Sequence, residues 1–119
     1  MKPQPVAGVG YPQQTPHTAA RMLRGHRMGA LKDGWLLLYE ALDRPPDEAA
    51  IDELCIVQTA DNRCLARILK RGRRPDCWDL LTVTGEQELD VVVAWAEPVT
   101  LILPYKPSAA EAERMLPVA

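Results

Sequence analysis

Phenylalanine is absent from this chain of 119 residues, serine occurs once, at Ser108, and histidine only twice, at His17 and His26. Three cysteines, Cys55, Cys64 and Cys77, form no CxxC pair. With so few histidines at no ligand-like spacing, neither a structural zinc site nor a cofactor is expected. Without phenylalanine the chain lacks the Phe-rich motifs of sheet-type RNA binders. Long apolar runs are missing too: Leu36 to Tyr39, Val91 to Ala96 and Val99 to Leu103 fall far short of the roughly 20 residues of a membrane-spanning helix. The N-terminus, MKPQPVAGVGYPQQTP, has no signal-peptide h-region, so the expected compartment is the cytoplasm, with no membrane partner. Charge of one sign is also missing. Fourteen Lys and Arg face 16 Asp and Glu, net -2, which excludes a surface given over wholly to nucleic acid.

At 47% hydrophobic the chain can bury a core of single-domain size. Residues 1–23 read as an irregular segment, with Pro3, Pro5, Pro12 and Pro16 breaking any period and Ala19 to Leu23 adding at most a helical turn. Asp33-Gly34 is a turn signal before a short buried strand, Trp35 to Tyr39. Pro45-Pro46 then breaks the chain, and Asp47 to Glu53 suits one or two helical turns with acids at the favourable end.

Residues 54–103 read as a β-meander. Leu54 to Thr59 is joined to the next strand by Asp61-Asn62, residues that tolerate the left-handed conformation of a tight hairpin. From Arg63 to Lys70, Cys64, Ala66 and Ile68 point one way, and Arg63, Leu65, Arg67 and Leu69 the other. Arg71 to Pro75 and Gly85 to Gln87 make the next turns. Val91-Val-Val93 is β-branched and averse to helix. Pro98 is expected to interrupt the last run, leaving Val99 to Leu103 as a separate or edge strand. Ser108-Ala-Ala-Glu111 is a capping-box pattern opening a short helix over 109–115.

Two features invite functional readings. Arg67, Lys70, Arg71, Arg73 and Arg74 concentrate positive charge around one hairpin, which reads either as a phosphate contact or as a solvated turn protecting a sheet edge. Asp76 and Asp79 dilute that field, so the solvated reading is preferred. Trp35, Trp78 and Trp95 fall in strand candidates, where packing is preferred to a base-stacking platform.

Taken in order, Arg24-Gly-His-Arg-Met28, Ala30-Leu-Lys-Asp-Gly-Trp-Leu36 and Leu65-Ala-Arg-Ile-Leu-Lys-Arg-Gly72 resemble the C-terminal domain of LexA-like and phage-repressor-like self-cleaving serine peptidases. Val93 to Val99 is similar to the closing strand of many phage-repressor-like members. The resemblance spans residues 24–104 and leaves 105–119 as a tail with a short helix. It implies a mainly β fold, a partly closed antiparallel sheet of the signal-peptidase type with one or two short helices. In that family a serine is activated by a lysine whose pKa burial lowers. Here the corresponding positions hold Arg27 and Ala66, so the resemblance implies a domain without the dyad and without enzymatic activity. Val6-Ala7-Gly8 superficially matches the family's cleavage dipeptide, but only 18 residues separate Gly8 from Arg27.

The function expected on this basis is a non-catalytic oligomerisation or partner-binding module in bacterial or prophage transcriptional regulation. The implied partner is a second copy or a regulatory protein, met through the strand carrying Val99, Leu101 and Leu103. The rivals are a nucleic-acid-binding module using Lys70, Arg71, Arg73 and Arg74, and an enzyme of altered chemistry using Cys64 or Cys77.

Overall fold

The structure, a computed structural model, describes residues 15–119. It is mainly β. Among the described residues eight strands form one strongly curled mixed sheet: β1 (Thr18–Leu23), β2 (Leu36–Glu40), β3 (Leu54–Thr59), β4 (Cys64–Arg71), β5 (Trp78–Leu81), β6 (Gln87–Val91), β7 (Val93–Leu103) and β8 (Pro117–Val118). Their order across the sheet is β6-β5-β4-β3-β7-β2-β1-β8. Every ladder is antiparallel except that of β8 on β1. A 3-10 turn, Glu48–Ala50, is capped by the Asp47 carboxylate, which accepts from the Ala49 N–H.

The meander forms as its local signals dictate. Gln58 pairs with Cys64 across a turn in which Asn62 takes φ +69°, a left-handed conformation that asparagine tolerates. β4 passes to β5 through Arg71 to Pro75, and β5 pairs with β6. Register shifts in the β2–β7, β3–β7 and β5–β6 ladders are bulges, which tighten the twist and roll the sheet into a half-barrel. The roll brings β8 back to β4, where the Ala119 N–H donates to the Cys64 carbonyl at 3.2 Å.

Curling creates two cores, one on each face of β3 and β4. Ile56 and Ala66, paired across the ladder, lie inside the curl with Leu23, Met28, Leu37, Tyr39 and Val118. Cys55, Val57, Leu65 and Leu69 face the other way, packing with Ala50, Trp78, Leu80 and Ala96. The inner core therefore draws on both ends of the described chain, whereas the outer core comes from residues 50–96 alone.

The chain departs from the sequence reading in three places. Thr18–Leu23, read as irregular with a turn of helix, is a strand held between β2 and β8. Long-range pairing on both edges outweighs the weak local preference of an Ala-containing stretch. The segment 105–119 is more than a tail with a helix: the helix α1 (Ala109–Arg114) has its full capping box at Ser108 and Glu111, and then β8 rejoins the sheet. Pro98 does not interrupt its strand. β7 runs unbroken for 11 residues, pairing with β3 up to Pro98 and with β2 from Val99 onward. Proline sits at the handover between two partners, where a residue without an N–H is tolerated.

Candidate functional site

Ala66 and Arg27 are placed by different physics. Ala66, paired with Ile56 in the middle of β4, is fully buried in the inner core. Arg27 lies on the exposed loop between β1 and β2, whose next residue, Met28, reaches into that same core. The loop is held at both ends. Gly25 donates to the Asp33 carboxylate at 2.8 Å, and the Thr84 hydroxyl donates to the Arg27 carbonyl at 3.0 Å. Arg27 lines a cleft of about 90 Å³ together with Arg67, Leu80, Thr82, Glu86, Gln87 and Glu88, and Ala66 is not part of that lining. Val6-Ala7-Gly8 lies outside the described residues.

Arg67 is the residue that sequence reasoning misplaced. Counted there with the basic hairpin, it is instead only 6% exposed. Its Nη1 donates to a backbone oxygen of Ala66 and one of Ala119, both at 2.8 Å, so the guanidinium bridges the place where β8 meets β4. Burial, and then the like charge of Arg27, hold its pKa below the ordinary arginine value. Its position was readable: Arg67 alternates in phase with Leu65 and Leu69, which face the outer core.

The basic hairpin is largely occupied from within. Lys70 pairs with Asp52 and Arg71 with Glu48, while the Arg71 guanidinium stacks 5.7 Å above the Trp78 ring. Arg73 and Arg74 have no carboxylate partner at ion-pair distance among the described residues, yet their backbone N–H groups both donate to Asp90 Oδ1, at 2.7 and 3.3 Å. Those are the donors a phosphate would need. The tryptophans form no platform: Trp78 belongs to the outer core, Trp95 stacks on Tyr39 at 6.0 Å in the inner one, and Trp35 is half-buried.

Two of the thiols, those of Cys55 and Cys64, are held in the protonated form. Burial pushes the Cys55 thiol up to about 12 and raises that of Cys64, where a reactive cysteine needs the opposite shift. Ser108 Oγ accepts from the Glu111 N–H at 3.2 Å as a helix cap, and the Glu111 carboxylate accepts from the Ser108 N–H in return.

Val99, Leu101 and Leu103 do not share a face. Val99 packs into the inner core with Ile102, whereas Leu101 and Leu103 are 38% and 39% exposed. The bulge opposite Leu38 and Tyr39 shifts the alternation between them. Beyond Pro98 no described strand pairs with β7 on the side away from β2. A groove lined by Glu53, Leu54, Val99, Thr100, Leu101 and Ile102 runs along that open edge.

Among the described residues no helix is long and apolar enough to cross a membrane, and no cluster of His, Cys, Asp or Glu is arranged to hold a metal. The chain matches no family model, no curated protein and no solved structure.

Proposed function

We propose that this chain is a non-catalytic oligomerisation or partner-binding module, related in design to the peptidase domain of LexA-like and phage repressors, and that its partner is a second copy of itself. The observation that carries the reading is the open edge of β7 from Val99 to Leu103, where unpaired backbone groups and two exposed leucines lie beside a groove. An edge of this kind is completed by another strand. Loss of catalysis fits the same picture, since Arg27 has no nucleophilic oxygen and Ala66 no basic nitrogen. A role in bacterial or prophage regulation rests on the resemblance of residues 24–104.

Nucleic acid is the weaker reading, because Lys70 and Arg71 are paired with carboxylates and Asp90 takes the Arg73 and Arg74 backbone N–H groups. Sedimentation at micromolar concentration should report a dimer, and Leu101→Lys, which places a charge on the edge, should return a monomer. A wild-type chain that stays monomeric at hundreds of micromolar would refute pairing through β7.

A further inference from the structure

We infer that a second copy joins β7 in one register: antiparallel about a two-fold axis, with Ile102 opposite Ile102 and Leu101 of each copy opposite Leu103 of the other. This register presupposes the β7 interface proposed above. Its phase is set by hydrogen bonds on the far side of β2. The Leu23 N–H donates to the Trp35 carbonyl and the Ala41 N–H to the His17 carbonyl, both at 2.8 Å. Trp35, Leu37, Tyr39 and Ala41 therefore turn their backbone groups towards β1, and Leu36 and Leu38 turn theirs towards β7. Leu36 pairs with Leu103 and Leu38 with Leu101, so those two leucines spend their own N–H and C=O groups on β2. Tyr39 pairs with Val99, and Thr100 is the extra residue of the bulge. Within 99–103, Val99 and Ile102 are thus the residues whose backbone groups face the open edge.

Two identical edges close on each other by antiparallel pairing, in which an outward residue exchanges both bonds with an outward residue. A parallel pair needs an offset that no two-fold axis supplies. Val99 opposite Val99 would lay the second copy's Leu101 against Glu97, a place β3 already fills with Ile56. Val99 opposite Ile102 would set the second copy's Leu103 against Pro98, which Cys55 already pairs. Ile102 opposite Ile102 leaves β3 where it is. It also lays the exposed Leu101 and Leu103 against their counterparts as close, non-hydrogen-bonded pairs, so each copy covers the other's apolar surface. Pro104, lacking an N–H, ends the ladder. Past it, Lys106 of the second copy enters the groove beside Glu53, and neither residue has an ion-pair partner among the described residues.

The test oxidises Leu101→Cys and Leu103→Cys with diamide, each alone and as an equilibrated equimolar mixture, and locates the disulfides by peptide mass. Opposed residues lie about 4.5 Å apart at Cα, within disulfide reach, whereas 101 to 101 and 103 to 103 are roughly 8 Å apart, beyond it. The mixture should therefore give about tenfold more cross-linked dimer than either variant alone, joined between positions 101 and 103. Without either cysteine, the Ile102 amide of the unaltered chain should exchange about tenfold more slowly than that of Leu101→Lys at the same concentration. Glu53→Lys should weaken the dimer about two- to fivefold, and adding Lys106→Glu should restore it. A disulfide joining 101 to 101, no cross-link in the mixture, or equal exchange at Ile102 would each overturn the register, while a dimer that Leu101→Lys dissolves would keep the β7 interface. A chain that stays monomeric would remove both.

Discussion

The two cores are made of the same kinds of side chain and are reached by opposite routes. The outer core is local: Ala50 through Ala96 supply it, and successive strands meet through short turns. The inner core is assembled from Leu23, Leu37, Ile56, Ala66 and Val118, which lie far apart along the chain and meet only once the sheet has rolled. β7 serves both, giving Ala96 to one and Trp95, Val99 and Ile102 to the other. Local sequence can specify a meander, but a closed roll is specified by partners that arrive late.

The sharpest test of that contrast compares equivalent truncations on its two sides. Leu37→Ala, in the inner core, should cost about 2–5 kcal/mol and lower protection from hydrogen exchange in every strand. Leu80→Ala should cost a similar amount overall while opening β5 and β6 first. Equal loss of protection everywhere in both variants would mean one cooperative unit and would dissolve the distinction.

A smaller effect reads the outer core by pH. The Cys55 thiol titrates near 12 in the folded protein against 9.0 ordinarily. Below pH 9 both states are protonated and the full stability is present. Above it only the unfolded chain loses its proton, so stability falls by up to about 1.4 kcal/mol per pH unit as pH rises towards 12. Urea melts from pH 8 to 10.5 should show this slope, and Cys55→Ala should remove that residue's share of it. An unchanged slope in the variant would place the thiol in contact with water.

Turn chemistry comes next. Asn62 holds φ +69°, so Asn62→Ala should destabilise the β3–β4 hairpin by about 1 kcal/mol, while Asn62→Gly should be close to neutral. The smallest effect belongs to Ser108→Ala. It removes a cap worth about 1 kcal/mol to α1, which has no buried residue, so faster exchange at the Glu111 amide should appear with little change in Tm.

The same division explains what the sequence disclosed. The turn at Asp61-Asn62, the alternation through β4, the cap at Ser108 and the strand at Leu36 were legible because each is a short-range pattern. Thr18–Leu23 was not, since its strand character comes from β2 and β8, the latter pairing some 95 residues away at Met22 and Pro117. The candidate site divides likewise. Lys70 and Arg71 stand out as a charged run, but their partners Asp52 and Glu48 precede them by a whole hairpin. Arg67 carried a readable signal, a charge in phase with Leu65 and Leu69. Its burial depends on the return of β8, which no local pattern announces.

The handover at Pro98 has a consequence for synthesis. β2 leaves the ribosome at residues 36–40, but the strand that completes its ladder, Val99 to Leu103, follows about 60 residues later. Until then β1 and β2 are a two-stranded hairpin, a unit marginal in water on its own. The meander from β3 to β6 has its partners within reach and forms while the rest is still being made. A nascent chain halted before β7 therefore exposes Leu37 and Leu38 on an unfinished ladder, and chaperone capture should fall once the last strands emerge.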